Sequence, residues 1–245
     1  MNSLKTNFGK RKIKVSKKTS LVQSLFTNVA KKYDLMNDVM SFGTHRIWKK
    51  ILLEIIDIQM HEKIIDVGSG TGDIIKLILE KNKKNQIYCI DLNINMLNES
   101  KKKFDNTINN IKFFNSNAEK LPFKDNFFDK YIISFCLRNV THIDKTLNEA
   151  YRILKPGGSF YCLEFSSPKT SLINSLYSKY KSKIIPYMGD KISNNKDAYK
   201  YLEESISIFP NQENLLDMIN NIGFIESQYT NIFDGIVCIH RGYKI

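Results

Sequence analysis

The chain has 245 residues, of which 42% are hydrophobic and 25% charged, and its formal net charge is +12. These values are typical of a globular protein, and the sequence contains no run of about 18 apolar residues, the length that a membrane span requires. A chain of this length can form a single domain with one sizeable core.

The basic charge is concentrated at the start of the chain. Seven basic residues and no acid precede Thr19, namely Lys5, Lys10, Arg11, Lys12, Lys14, Lys17 and Lys18. This segment has no apolar core of the kind that a secretory signal requires. We predict a basic, flexible tail over residues 1–19 and a single domain over residues 20–245.

Helical and strand patterns follow in an order that predicts an α/β fold. Residues 20–58 have helical spacing and predict a helical cap. From Lys63 onward, five β-rich runs alternate with helical spacing over 72–81, 94–104 and 141–154. The five runs are KIIDVG, IYCID, IKFFNSN, YIISF and SFYCLEF.

The last third of the chain is different. Residues 170–222 predict a helical insertion, which is followed by FIESQYTNIF, Asp234-Gly235 and IVCIHRGYKI, a β-hairpin pattern with an Asp-Gly turn. The sequence therefore predicts a doubly wound parallel sheet closed by an antiparallel last strand. Ligands of such sheets bind outside the carboxyl ends of the strands, so we expect the cap and the insertion to form the walls of a pocket there.

A glycine-rich turn follows the first strand. Asp66-Val67-Gly68-Ser69-Gly70-Thr71-Gly72-Asp73 has the spacing G-x-G-x-G, whereas dinucleotide enzymes have G-x-G-x-x-G with a pyrophosphate at the helix N-terminus. The observed spacing favours a small zwitterionic ligand over a pyrophosphate.

Two further polar groups fit an adenosine-containing cofactor. Asp91 ends the second strand, where a carboxylate can accept hydrogen bonds from both ribose hydroxyls. Asn117-Ala118-Glu119 follows the third strand, where polar groups can reach an adenine edge. Each of these residues could instead be a helix cap or turn residue.

These motifs together resemble the UbiE-type quinone C-methyltransferases, enzymes of ubiquinone and menaquinone synthesis that use S-adenosylmethionine (SAM). The resemblance extends from near Phe26 to the C-terminus. It is carried by KYDLMNDVMSFGTHRIWKK, NAEKLPFKDNFFD, LRNVT, RILKPGGSFYCLEFS, YKYLEESI and GIVCIHRGYKI. The resemblance implies a Rossmann-like SAM-dependent methyltransferase fold with a seven-stranded sheet.

The resemblance also implies a set of cofactor-binding residues. These are Asp66, Gly68, Gly70, Thr71, Asp91, Asn117, Ala118 and Ser134. The sequence departs from the commonest family pattern at Gly68-Ser69, where Ala-Gly is usual, at Cys136, where Gly is usual, and at Ser167, where Lys is usual.

The implied reaction moves a methyl group to a quinol ring carbon, and it requires a polarised or ionised phenolic hydroxyl. Arg138 and Asn139 directly follow the fourth strand, so we assign Arg138 to phenolate stabilisation or to orienting a water, and Asn139 to hydrogen bonding. Arg138 could instead pair with a helix acid. Tyr33 and Tyr201 are further candidates for contact with the quinol oxygens, with structural roles as the alternative.

No metal site is predicted. The four histidines, at positions 45, 61, 142 and 240, are scattered, and the four cysteines are widely spaced without a CxxC motif. We expect reduced cysteines in a cytoplasmic protein.

Residues 171–185, SLINSLYSKYKSKII, predict a basic amphipathic helix. The apolar residues of this helix could lie on anionic lipid at the inner face of the cytoplasmic membrane, pack on the core, or line a channel for a prenyl chain. The partners that we expect are a lipophilic quinol, a quinone-biosynthesis complex and a second copy in a homodimer, without nucleic acid.

Three other functions remain open from the sequence. A nucleic-acid methyltransferase fits the basic charge, but SFCLRN stands where amino-directed enzymes carry N/D-P-P-Y. A non-catalytic SAM-binding subunit would bind the cofactor without turnover. An NAD-dependent oxidoreductase is disfavoured by the glycine spacing.

Overall fold

The computed structural model of the chain describes residues 5–104, 110–180 and 196–245. Its centre is a seven-stranded sheet with the order β5-β4-β3-β6-β7-β9-β8. The strands are β3 Lys63–Val67, β4 Gln86–Asp91, β5 Ile111–Asn115, β6 Phe128–Ser134, β7 Leu154–Phe165, β8 Ile225–Ile232 and β9 Val237–Tyr243. Strands β3 to β7 pair with one another in parallel, and β9 is antiparallel to both β7 and β8. The predicted sheet with an antiparallel last strand is confirmed.

The central strands are buried on both faces, which explains their nearly continuous apolar sequence. Ile64, Ile132 and Ile133 are fully buried. Pairing in register brings Val67 of β3 opposite Ile90 of β4 and Ile133 of β6. The carboxyl ends of these strands therefore lie side by side at one edge of the sheet.

Helices cover both faces. They are α1 Val15–Val29, α2 Tyr33–Ser41, α3 Thr44–Ile55, α4 Asp73–Lys81, α5 Ile94–Lys103, α6 Ile143–Ile153, α7 Ser171–Lys179, α8 Lys196–Ile208 and α9 Gln212–Ile222. Leu52 of α3 and Ile75 of α4 pack in one core cluster with Ile64, while Leu147 of α6 and Ile219 of α9 pack in a second cluster on the other face. The helices predicted over 72–81, 94–104 and 141–154 are confirmed within two residues at each end.

One boundary near the end of the chain differs from the prediction, whereas the hairpin turn agrees with it. The sequence Lys155-Pro156-Gly157-Gly158 is a helix-stop and turn signal. In the structure, however, β7 begins at Leu154, directly after α6, so these four residues lie inside the strand. The hairpin turn includes Asp234 and Gly235, both at positive φ, as its Asp-Gly sequence predicts.

The expectation of a flexible tail is wrong for residues 5–19. Strands β1 Lys5–Phe8 and β2 Arg11–Lys14 form an antiparallel hairpin, and α1 begins immediately afterwards. The hairpin packs on α8, where the Lys10 backbone N–H donates to Glu204 (3.2 Å) and the Phe8 ring stacks on Tyr201 with centroids 4.6 Å apart. These are long-range contacts, which a local reading of charge does not detect.

The predicted insertion over 170–222 divides between two locations. Residues 181–195 lie outside the described residues. Helices α7 and α8 lie on the cavity side, whereas α9 contacts α6, β8 and β9 and buries Leu215 and Ile219 against the sheet. The expectation that this whole segment forms a pocket wall is therefore wrong for α9. In the described parts of the chain, no helix is both long and apolar enough to cross a membrane.

Candidate active site

The glycine-rich turn is held close to the sheet. Gly68, Gly70 and Gly72 all have positive φ, a region that side-chain-bearing residues rarely adopt. The Gly68 N–H donates to the Ile90 carbonyl at 2.7 Å, and a Cβ at position 68 would lie 2.2 Å from the sulfur of Cys136. Glycine at position 68 is therefore required by both conformation and space.

Asp91, at the end of β4, accepts hydrogen bonds that hold this turn in place. Its Oδ2 accepts from the Gly70 N–H at 2.9 Å, and its Oδ1 accepts from the Asn93 N–H at 2.7 Å. Burial raises the pKa of Asp91 to about 6, although the two backbone hydrogen bonds favour the ionised form. A carboxylate has further lone pairs, so Asp91 can still accept hydrogen bonds from a ribose.

Asp66 is buried without a counter-ion. It is 1% exposed, and neither carboxylate oxygen has a hydrogen-bond partner among the described residues. Burial raises its pKa to about 7, and the nearby Lys49 lowers it in part. A buried carboxylate without partners on a cavity wall fits a cationic ligand group such as the ammonium of SAM.

Helix α1 covers a narrow cavity beside Asp91. The cavity is lined by Asn117, Ala118 and Ser134 and by four residues of α1, which are Thr19, Val22, Gln23 and Phe26. The Asn93 side-chain amide donates to the Gln23 carbonyl at 3.1 Å, which connects the helix to the end of β4. Three of these α1 residues belong to the predicted cap, and Thr19, at the end of the predicted tail, completes this side of the predicted nucleoside site.

A second, largely apolar cavity of about 480 Å³ lies next to the first. Its walls come from α2, α3, α7 and α8 of the cap and insertion and from the ends of β6 and β7. The two cavities share five lining residues, Tyr33, Gly68, Gly70, Ser134 and Phe135. Two ligands bound in the two cavities would therefore meet at these shared residues.

Arg138 lines the large cavity and is charge-paired. Its Nη1 donates to both carboxylate oxygens of Glu164 at 3.0 Å and to the Phe135 carbonyl at 2.6 Å. The side chains of Arg138 and Glu164 are 6% and 2% exposed. Burial lowers the pKa of Arg138, but Glu164 together with Tyr33 and Tyr201 more than offsets this effect, so the pKa is raised overall. The sequence left open a pair with a helix acid, but the partner is an acid of strand β7.

The other predicted catalytic residues occupy different places. Tyr33 lines both cavities, and burial raises its pKa to about 12 despite the opposing effect of Arg138. Tyr201 does not line the large cavity. It donates to Asn139 Oδ1 at 3.2 Å beside a small third cavity that Arg138 and Tyr33 also line.

Two predicted cofactor contacts have contrasting surroundings. The Thr71 hydroxyl donates to Asp34 of α2, so this group connects the turn to the cap. The Ser134 hydroxyl is buried and has no hydrogen-bond partner among the described residues. Ser134 therefore keeps its donor hydrogen for a ligand, whereas Thr71 keeps only its acceptor lone pairs.

Sequence reasoning missed two charged groups of the large cavity or its wall, Glu164 and Lys49, and it missed the partner of His45. Glu164 could have been noticed as the single acid in the apolar run SFYCLEF. Lys49 donates to Asp73 at 2.7 Å, and His45 Nε2 lies 2.9 Å from Asp38. Nothing local marks these last two pairs, because their partners lie on other helices.

The cysteines and histidines form neither a disulfide nor a metal cluster among the described residues. All four cysteines are free thiols. Over the described residues, no group of three or more His, Cys, Asp or Glu side chains is arranged to hold a metal ion.

Comparison with known proteins gives consistent matches over the length of the chain. Residues 12–244 match the model of the ubiE/COQ5 methyltransferase family. The chain is 49% identical to the ubiquinone/menaquinone biosynthesis C-methyltransferase UbiE of Rickettsia bellii (strain RML369-C), with 98% of this chain and 99% of that protein covered. It is 47% identical to the protein of the same name from Wigglesworthia glossinidia brevipalpis, with 98% and 97% covered.

Solved structures show the same fold at low sequence identity. A SAM-dependent methyltransferase from Thermotoga maritima superposes with a TM-score of 0.66 at 20% identity, covering 91% of this chain and all of that one. Human N-acetylserotonin methyltransferase in complex with SAM gives 0.59 at 17% identity, covering 86% and 55%. These likenesses confirm the predicted Rossmann-like fold.

Proposed function

Because the chain belongs to the ubiE/COQ5 methyltransferase family, we propose that it methylates a ring carbon of a polyprenylated quinol bound in the large cavity. The family membership and the relatives' names make it a SAM-dependent C-methyltransferase of ubiquinone/menaquinone biosynthesis. The acceptors that we propose are a 2-methoxy-6-polyprenyl-1,4-benzoquinol, a demethylmenaquinol or both.

The observation that carries this proposal is the junction of the two cavities. One cavity has the polar residues of a nucleoside site, and the other is large and apolar enough for a hydrophobic acceptor. When bound, SAM supplies a methyl group already activated by its sulfonium. The protein must therefore place the acceptor carbon in line with this methyl group at the shared residues, which include Tyr33 and Ser134.

The residues proposed to hold SAM follow the ends of the strands. Asp91 would accept from the ribose hydroxyls, Asn117 and Ala118 would border the adenine, and Ser134 would contact the cofactor near the junction. Asp66 would hold the ammonium. The turn at Gly68, Gly70 and Thr71 would let the cofactor approach the backbone closely.

Arg138 is proposed to stabilise the developing phenolate. It stands in the wall of the large cavity, and its pairing with Glu164 fixes the guanidinium in place. Tyr33 stays protonated, so it can donate a hydrogen bond to a quinol oxygen but does not serve as a base. Asn139 and Tyr201 bond to each other next to Arg138, which supports a positioning role for both.

Methyl transfer to short-chain acceptors tests the proposed function. Purified protein with labelled SAM is expected to methylate a ring carbon of a reduced demethylmenaquinol, a reduced demethylated methoxy-benzoquinol, or both. Product would be identified by mass spectrometry, with the oxidised quinones as the control, because only the reduced ring has phenolic hydroxyls. Measurable SAM binding without transfer to either quinol would contradict the proposal and favour the non-catalytic subunit.

The mouth of the large cavity supports a further part of the proposal, contact with anionic lipid. Phe42, Leu172, Leu176 and Phe233 are more than half exposed, and Phe42, Leu176 and Phe233 also line the cavity. Exposed apolar side chains continuous with an apolar cavity fit a route by which a prenylated quinol enters from a bilayer. We propose a cytoplasmic protein that binds the inner face of the membrane peripherally.

Vesicle sedimentation tests this contact. The double variant Leu172→Ser with Leu176→Ser is expected to bind vesicles of anionic phosphatidylglycerol at least several-fold more weakly than the wild type, since two exposed apolar groups are lost. Met60→Ser is the matched control, because Met60 is 61% exposed before the amino end of β3, away from the cavity. Equal binding by all three proteins would exclude a role for α7. A homodimer, a quinone-biosynthesis complex and the absence of nucleic-acid binding remain predictions.

A further inference from the structure

A buried lysine of the cap reaches the glycine-rich turn. Lys49 belongs to α3, its side chain is only 10% exposed, and it lines the large cavity beside Gly70 and Asp73. Lysine is rarely buried without a partner because its ammonium loses hydration. The position of Lys49 therefore calls for an explanation in terms of the groups around it.

Asp73 accounts for part of this charge. Lys49 Nζ donates to Asp73 Oδ2 at 2.7 Å, and Lys103 Nζ lies 3.8 Å from Asp73 Oδ1. An ammonium has three donor hydrogens, and the hydrogen bond to Asp73 uses one. Two donor hydrogens of Lys49 are not used by Asp73, so Lys49 retains capacity to donate to a second anion.

An acid without a partner lies on the same cavity wall. Both oxygens of Asp66 are buried and lack partners among the described residues. Lys49 is close enough to lower the pKa of Asp66 electrostatically, although no direct contact joins the two side chains. A cation and an anion therefore border the same part of the cavity, at the glycine-rich turn.

This pair of charges matches an α-amino acid group. We propose that Lys49 binds the carboxylate of the methionine part of SAM while Asp66 binds its ammonium. The enzyme would thereby distinguish SAM and its product from analogues that lack the carboxylate. The inference rests on the proposed cofactor site, and it assigns a binding role to a residue of the helical cap, outside the sheet edge.

The competing explanation is purely structural. The ion pair between Lys49 and Asp73 connects α3 to α4, and breaking a buried pair destabilises a protein. A structural role and a binding role predict different dependences on the ligand. Loss of structure would weaken all ligands of the site alike, whereas loss of a carboxylate contact would weaken only ligands that carry the carboxylate.

The test compares two ligands by titration calorimetry. They are S-adenosylhomocysteine and its decarboxylated counterpart, in which hydrogen replaces the carboxylate. Wild-type protein is expected to prefer the first by roughly 10- to 100-fold, the usual effect of a charge-assisted hydrogen bond. Lys49→Met is expected to remove this preference, and the neighbouring exposed Lys50→Met is expected to keep it.

Two further variants keep the proposal testable if Lys49→Met does not fold. Lys49→Arg retains the charge and should retain a preference for the carboxylated ligand. Asp73→Asn breaks the helix pair but leaves the ammonium, so its preference should equal or exceed that of the wild type. Parallel weakening of both ligands by Lys49→Met, or loss of the preference in Asp73→Asn, would overturn the proposal. The titrations contain no quinol, so they test the carboxylate contact independently of methylation. A failure of the proposed function would appear only in the separate methyl-transfer assay.

Discussion

Replacing Asp91 with alanine is expected to weaken SAM binding by roughly 100-fold or more, because two hydrogen bonds to an ionised carboxylate are lost together. The same substitution removes the acceptor of the Gly70 and Asn93 backbone N–H groups. The glycine-rich turn therefore also loses its hydrogen bond to the end of β4. Titration calorimetry with S-adenosylhomocysteine measures the change directly.

Asp129→Ala is the matched control for this experiment. Asp129 also accepts from a backbone N–H, that of Lys63 at 2.8 Å, and from the Lys155 ammonium at 2.6 Å, but it stands near the start of β6, at the opposite end of the strand from Ser134. It should lower stability without changing ligand affinity in the folded protein. Similar affinities for the Asp91 variant and the wild type would exclude the proposed ribose contact.

Replacing Glu164 with leucine is expected to lower the free energy of unfolding by about 3–5 kcal/mol, the usual cost of leaving one member of a buried ion pair alone. The remaining guanidinium of Arg138 is 6% exposed and would have to stay charged next to Phe165. Urea denaturation measures the loss as a lower midpoint at unchanged slope.

The double variant Glu164→Leu with Arg138→Met separates stability from catalysis. It removes both charges, so it should regain most of the lost stability, yet it should not regain quinol methylation if Arg138 stabilises the phenolate. Arg46→Met is the control, since its pair with Asp38 is exposed and worth under about 1 kcal/mol. Full methylation by the double variant would contradict the catalytic role of Arg138.

The parts of the site that the sequence predicts well are those in which position and chemistry coincide. Gly68, Asp91 and Ser134 each lie at the carboxyl end of a strand. A parallel sheet brings these ends together regardless of the conformation of the connecting loops. The strands themselves were recognisable because they are buried on both faces. The close approach of Gly68, Asp91 and Ser134 therefore follows from local sequence patterns alone.

The remaining parts depend on contacts between distant segments. Phe8 stacks on Tyr201, so a segment that looks like a basic tail is ordered by a residue far along the chain. Glu164 pairs with Arg138 across two neighbouring strand ends, and the sequence gives no indication of this pairing. Tyr201 was a candidate for contact with the acceptor or for a structural role, and it packs against Phe8 of the hairpin without lining the large cavity.

The contact between Gly68 and Cys136 has a consequence for how this sequence can change over evolutionary time. A methyl group at position 68 and a thiol at position 136 would occupy the same space. Because the thiol already fills this space, a side chain can be added at position 68 only after position 136 has become smaller, and the positive φ of position 68 adds strain to that change. The order of the two substitutions is therefore fixed: the sulfur at position 136 must be lost before a methyl group is gained at position 68.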